Sequence, residues 1–255
     1  MKDIILNGCF GQMGRVITEQ VCGRSDCRIA AGVDTAQLQA DFPVFCSLSE
    51  YNGGADVIID FSHPCALIGV LEHAVLSGVP AVIATTGLDD LQKEIITRSS
   101  ARIPIFFSAN MSLGVNLLSE LAKAAAKVLG DRYDIEIVEK HHRQKIDSPS
   151  GTALMLADSI SAVLDEKPSY EYNRHERHEK RPKNEIGIHA VRGGTIVGEH
   201  DVIFAGTDEV ITLSHAAGSK KLFAEGAINA ALWLCGKRPG LYTMADLIED
   251  KQSEV

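Results

Sequence analysis

The chain has 255 residues, enough to bury a sizeable core in one or two domains. Hydrophobic residues make up 45% and charged residues 23%, which excludes a disordered chain. A net charge of −9 sets up a field that repels nucleic acid and anionic membrane surfaces, so neither is an expected partner.

The chain opens on Ile4-Ile5-Leu6, too short for the apolar region of a signal peptide, and the expected location is the cytoplasm. Asp3–Asn7 reads as a strand, Gln12–Val21 as a helix and Cys27–Val33 as a second strand. Then come Ala55–Phe61 (strand), Cys65–Ser77 (helix), Val79–Thr85 (strand), Leu88–Ser100 (helix) and Ile103–Phe107 (strand). Runs such as Val57-Ile58-Ile59 are apolar on both faces, as in a parallel sheet covered on both sides. The alternation predicts a doubly wound α/β domain with right-handed crossovers.

From about residue 112 the pattern changes. Gly114–Leu129 reads as a long helix capped by Gly130. Strands are expected at Asp134–His141, Glu185–Val191, Thr195–Phe204 and Val210–His215, with Gly193-Gly194 and Gly206-Thr207-Asp208 read as hairpin turns. Successive hairpins predict antiparallel pairing in a separate α+β unit. Residues 166–184 are charge-dense and read as a surface loop. Leu222–Cys235 is helical but carries Glu225 and Asn229, so it is no membrane span, and it could return to cover the first domain.

Gly8-Cys9-Phe10-Gly11-Gln12-Met13-Gly14 falls between the first strand and the first helix. Its G-x-x-G-x-x-G spacing is a variant of the dinucleotide fingerprint, in which glycines bring backbone N–H groups up to a pyrophosphate. Asp34 closes the second strand about 20 residues past Gly14, where a ribose-binding carboxylate belongs. A plain strand–turn–helix corner is the competing reading. A carboxylate there also repels a 2′-phosphate, by roughly 4 kcal/mol per charge pair at 4 Å and an effective dielectric near 20. Neither Gln12 nor Thr35 supplies a compensating cation, so NADH is expected to serve at least as well as NADPH.

The densest chemistry runs from Glu139 to Ala153, EKHHRQKIDSPSGTA, and leads into a helix expected at Thr152–Leu164. His141 and His142 point to opposite faces if still on a strand. A histidine, or a lysine such as Lys145 in a partly closed pocket, moves protons near neutral pH. The turn Ser148–Thr152 can offer backbone N–H groups to a carboxylate at a helix N-terminus. The stretch therefore suits a small anionic substrate with a proton donor at hand. The plainer alternative is one satisfied core histidine, one surface histidine and a solvated lysine.

Other candidates carry less. His175 and His178 have helical ligand spacing but lie among Arg174, Glu176, Arg177, Glu179 and Lys180, so a solvated loop and no metal site is expected. Thr85-Thr86-Gly87 and Ser108-Ala109-Asn110 each follow a strand end, where a doubly wound sheet holds its ligand. Glu199-His200 is assigned no catalytic role. The six cysteines are scattered singly and read as reduced thiols packed as small hydrophobes.

Together, GCFGQMG at 8–14, DFS at 60–62, ATTG at 84–87, SANMSLGVN at 108–116, EKHHRQKIDSPSGTA at 139–153 and VGEH at 197–200 resemble the dihydrodipicolinate reductase family. The resemblance covers nearly the whole chain. It implies an enzyme that reduces 4-hydroxy-tetrahydrodipicolinate, a small cyclic dicarboxylate, with NADH and/or NADPH in the diaminopimelate route to lysine. It implies a Rossmann-type doubly wound parallel sheet plus a smaller α+β domain with a mixed sheet. The dinucleotide-binding domain is expected over 1–112 and 222–255, and the substrate-binding and oligomerisation domain of a homotetramer over 113–221. By the same resemblance His141 is the general acid/base, Lys145 a proton donor, His142 a substrate-binding residue, and Gly151 and Thr152 bind a carboxylate through their backbone. Cofactor contacts carry over to Gly8, Cys9, Phe10, Gly11, Gln12, Met13, Asp34, Ala84, Thr85, Thr86, Ser108, Ala109, Asn110 and Met111. Ala84 stands where the family usually has Gly, Gln12 where a basic residue is frequent, and Thr35 where some members have Arg. The last two bear on cofactor choice in the same sense as the charge argument. The alternatives are another two-domain Rossmann oxidoreductase, such as an amino-acid or sugar dehydrogenase, and a non-catalytic dinucleotide sensor.

Overall fold

The computed structural model describes residues 1–36 and 38–253. Positions 37, 254 and 255, all within the expected dinucleotide-binding domain, lie outside the described residues. The chain divides into two compact units, Met1–Leu113 with Lys220–Val255, and Gly114–Ser219.

The first unit begins with β1 (Lys2–Asn7), α1 (Gln12–Cys22), β2 (Cys27–Val33), β3 (Val44–Phe45) and β4 (Val57–Asp60). It continues through α2 (Leu67–Ser77), β5 (Ala81–Ile83), α3 (Asp90–Ser100) and β6 (Pro104–Phe107). The second unit uses α4 (Leu113–Leu129), β7 (Asp134–His141), α5 (Gly151–Ser161), β8 (Ser169–Glu171), β9 (Glu185–Arg192), β10 (Glu199–Ala205) and β11 (Val210–Ala216). The chain then returns with α6 (Lys221–Leu234), β12 (Gly240–Tyr242) and α7 (Met244–Ser253).

The first sheet is parallel throughout, in the order β12-β6-β5-β4-β1-β2-β3. Ile4, Leu6, Val57 and Ile59 point into one apolar layer, while Ile5 and Ile58 point into the other. This is the period-2 signature of a sheet covered on both faces. Helix α6 fits its layer through small residues. A Cβ at Gly226 would lie 1.7 Å from the Met111 carbonyl oxygen, so no larger residue is accommodated there without moving backbone. Strand order reverses between β1 and β4, which sets the ligand crevice of such a sheet outside the carboxyl ends of these strands.

The second sheet runs β11-β10-β7-β9-β8. β9 is parallel to β7 and to β8, whereas β10 is antiparallel to β7 and to β11. This corrects the all-hairpin expectation. Gly206–Asp208 does join a hairpin, but Gly193-Gly194 does not, because β7 lies between β9 and β10. The Gly193 N–H donates to the His141 carbonyl (2.9 Å), so these glycines wrap the end of β7. Residues 166–184 are also more ordered in role than a solvated loop. They include β8, and Arg174, Arg177 and Arg181 reach back to Glu136, Glu185 and Asp134. Strands β3, β8 and β12 and helix α7 were not expected from sequence; β3, β8 and β12 are only two or three residues long, below the length at which alternation is readable.

Along β7, Ile135, Ile137, Glu139 and His141 share the buried face toward the apolar residues of α4 and α5. The alternation that builds the core thus continues past it and delivers two ionisable groups into buried positions. The thiols divide: Cys9 and Cys27 are packed as expected, whereas Cys22, Cys46 and Cys65 are exposed. No described helix is long and apolar enough to cross a membrane.

Candidate functional site

In the first unit the chemistry gathers at the carboxyl ends of β1, β2 and β4. Gly8 has φ of +80°, and a Cβ there would lie 2.6 Å from the Phe61 carbonyl oxygen. A Cβ at Gly14 would lie 2.1 Å from the Gly8 carbonyl oxygen. Both positions therefore exclude side chains, and the turn stays tight enough to bring backbone N–H groups forward. Gly11 is the N-cap of α1 and no side chain caps that helix, so its first-turn N–H groups point outward as an anion site. The Phe10 N–H donates to Asp34 Oδ2 (2.9 Å) and the Ala36 N–H to Oδ1 (3.0 Å). Each Asp34 oxygen keeps lone pairs for ribose hydroxyls. The corner fits a nicotinamide dinucleotide: glycine turn, uncapped helix start and carboxylate are all in place.

A cation also stands there that the sequence reading lacked. Lys220 Nζ donates to Gln12 Oε1 (3.0 Å), reaching the loop from the returning segment. No local spacing signals this, because the pair is 208 residues apart.

Beneath the corner, Asp60 is fully buried and accepts from Asn7 Nδ2 (2.7 Å), Ser62 Oγ (2.6 Å) and Thr85 Oγ1 (2.7 Å). The network ties the ends of β1, β4 and β5 together. It also turns the Thr85 hydroxyl inward, leaving Ala84 buried and Thr86 exposed. Ser108 Oγ donates to the Asn110 carbonyl (2.7 Å), and Asn110 Oδ1 accepts from the Ser112 N–H (2.9 Å). Ala109 is exposed, while the Cys9 and Met111 side chains lie in the core, which leaves only their backbones for a ligand.

In the second unit, Glu139 is the hub. It is fully buried and accepts from His141 Nδ1 (2.6 Å), the Ser150 N–H (3.0 Å), and both Nη atoms of Arg192 (2.7 Å each). Burial pushes its carboxyl up, but Arg192, His141 and the Ser150 N–H outweigh that and hold it below the usual carboxylate range. An ionised Glu139 requires Nδ1 of His141 to carry its hydrogen, which commits Nε2 to the other partner. A Cβ at Gly198 would stand 3.0 Å from Nε2, so a glycine keeps that edge clear.

His200 packs edge-on against His141, with ring centroids 5.2 Å apart, and its Nε2 lies 3.0 Å from Ser150 Oγ. Burial, reinforced by His141, pushes its pKa down to about 4, so it is neutral at physiological pH. Ser150 also caps α5, accepting from the Ala153 N–H. His142 lies just past β7, half-buried, and its carbonyl accepts from the Lys145 N–H (3.1 Å). Lys145 Nζ pairs with Asp147 Oδ1 at 2.9 Å. Gly151 and Thr152 form the first turn of α5.

His141, His142, Lys145, Gly151 and Thr152 thus fall on one strand end, one loop and one helix start. Glu139, Ser150 and Arg192 join them without having been assigned a role from sequence, and so does His200, whose Glu199-His200 pair was set aside there. Glu139 was legible as the position two before His141, on the same face of β7. Arg192 and His200 come from neighbouring strands, and only sheet register reveals them.

One unit carries a glycine corner of the dinucleotide-binding type, and the other a buried imidazole–carboxylate cluster. They define the class: two-unit oxidoreductases that depend on a nicotinamide dinucleotide. Residues 2–111 match the family described as "Dihydrodipicolinate reductase, N-terminus" and residues 114–248 its C-terminus. The chain belongs to the dihydrodipicolinate reductase family. A 4-hydroxy-tetrahydrodipicolinate reductase from Caldanaerobacter subterraneus subsp. tengcongensis is 53% identical over 98% of this chain and 99% of its own length. One from Clostridium novyi is 45% identical over 98% and 100%. A dipicolinate-bound dihydrodipicolinate reductase from Paenisporosarcina sp. TG-14 shares the fold, with a TM-score of 0.81 at 24% identity over 95% of this chain and 97% of that one.

Proposed function

We propose that the chain reduces 4-hydroxy-tetrahydrodipicolinate to tetrahydrodipicolinate in the diaminopimelate route to lysine, consuming NADH or NADPH and a proton and releasing water. The observation that carries this reading is the buried Glu139–His141 pair next to the start of α5. When bound at the glycine corner, the reduced nicotinamide supplies the hydride. The rest falls to side chains of the second unit. His141, held through Nδ1, exchanges a proton through Nε2, a contribution of roughly 10²–10⁴ in rate. Lys145 donates a proton and binds negative charge, with His142 as a further substrate contact. The backbone of Gly151 and Thr152, at the positive end of α5, takes a carboxylate. Glu139 is a positioning residue, and Arg192 neutralises it.

Asp34 receives the ribose hydroxyls, and NADH serves at least as well as NADPH. Lys220 assists the pyrophosphate, which both dinucleotides share. The chain works in the cytoplasm as a homotetramer.

The test is NADH oxidation, followed by absorbance, with and without freshly made substrate. Oxidation that depends on the substrate supports the reading. Oxidation only with amino acids or sugars, or none at all, overturns it.

A further inference from the structure

Lys145, expected to help receive a substrate carboxylate beside the start of α5, already holds one that belongs to the chain. Asp147 Oδ1 lies 2.9 Å from Lys145 Nζ. The Lys145 ammonium, with the Gly151 N–H among the further contributors, holds the Asp147 carboxyl below its ordinary value. The two partners differ in freedom: the Lys145 side chain is 22% exposed and that of Asp147 is 57% exposed. The lysine is the more buried partner, and the aspartate reaches it from the solvent side.

The ion pair is not what holds the loop in place. Arg192 Nη2 donates to the Asp147 carbonyl (2.6 Å) while the same guanidinium grips Glu139. At the far end of the loop, the Ser150 N–H donates to Glu139 and Ser150 caps α5. Backbone anchors on both sides leave the Asp147 side chain free to swing without unravelling the segment.

We propose that Asp147 is an internal stand-in for the substrate carboxylate, occupying the Lys145 ammonium until a ligand carboxylate replaces it. The exchange keeps the partly buried ammonium paired before and after binding, so neither state carries the cost of an isolated charge. It also sets a threshold. A ligand must outcompete a tethered carboxylate, and its observed affinity is the intrinsic affinity multiplied by the fraction of molecules in which Asp147 has vacated the Lys145 ammonium. A dicarboxylate, with a second anionic group to contribute elsewhere, clears that threshold more readily than a monocarboxylate of the same ring.

This rests on the assignment of Lys145 as a substrate contact, and the test separates the two ideas. Dipicolinate binding to the NADH-saturated full chain is measured by titration calorimetry for the parent, Asp147→Asn, Lys145→Ala and the double variant, with Asp147→Ser as a second removal of the charge. Both Asp147 variants are expected to bind dipicolinate three- to tenfold more tightly, and the gain should vanish when Lys145 is alanine. Unchanged or weaker binding in both Asp147 variants makes the residue inert or a support for Lys145, and overturns the proposal. A gain that persists without Lys145 is a general field effect and overturns it equally. If Lys145→Ala alone leaves dipicolinate binding unchanged, the substrate-site assignment itself fails.

Discussion

The dinucleotide corner and the proton cluster are built from different materials. The corner is mostly backbone: glycines that exclude side chains, an uncapped helix start, and a buried Asp60 held by neutral donors. The cluster is mostly charged side chains, with Glu139, Arg192, His141 and Lys145 drawn from two strands and a loop. A backbone site depends on steric exclusion and tolerates change poorly at a few positions. A side-chain site depends on charge balance, so its failures should be graded and sensitive to pH.

The largest expected effect sharpens the second half of that contrast. His141→Gln should lower kcat by about 10²–10⁴ with little change in KM. A kcat within threefold of the parent would assign the acid elsewhere. Next comes the neutral histidine. Because His200 titrates at about 4 in the fold against 6.5 ordinarily, the unfolded chain binds a proton that the folded chain refuses between those values. Its contribution is complete above pH 6.5 and is lost as the pH falls through about 4, a swing of about 3 kcal/mol. Urea unfolding across this window should show a shallower pH dependence in His200→Gln, and identical slopes would remove His200 from the balance.

Gly14→Ala probes the backbone site. The new methyl meets the Gly8 carbonyl, and roughly 1–3 kcal/mol of displaced backbone translates to about 10- to 100-fold weaker NADH binding by fluorescence titration. Retained affinity would mean that the corner is not the pyrophosphate site. Lys145→Ala should cost about tenfold in both kcat and KM, since it removes a donor and an anion contact. If neither moves, the pocket lies elsewhere. The smallest effect concerns cofactor choice. Asp34 disfavours a 2′-phosphate, while Lys220 adds a cation beside Gln12. The kcat/KM for NADPH should not exceed that for NADH by more than about tenfold, given opposed charges of this size. Lys220→Ala should raise KM for both dinucleotides alike; a rise for NADPH alone would place the ammonium at the 2′-phosphate.

The same contrast explains what was legible in the sequence. Gly8, Gly11, Gly14 and Asp34 could be read because strand–turn–helix geometry fixes their spacing in the chain. His141, His142, Lys145, Gly151 and Thr152 fall within one short stretch, so they too announced themselves. Arg192 and His200 did not, because they meet Glu139 only through the order β10-β7-β9, and two glycines at 193–194 imitate a hairpin that the sheet does not make. Lys220 was hidden for the same reason on a longer scale. The three arginines of residues 166–184 looked like solvated charge because composition does not reveal that Glu136 and Glu185 lie in reach.

The first unit is also discontinuous, and that has a consequence for how the molecule is made. Helix α6, which packs on one face of the first sheet, and the edge strand β12 leave the ribosome only after the whole second unit. At ordinary synthesis rates the nascent first half waits on the order of ten seconds for them, with one apolar layer of the sheet covered by α1 but not yet by α6. Chaperone demand during translation should therefore concentrate on this interval, and polypeptides truncated before residue 220 should aggregate even though they contain the entire glycine corner.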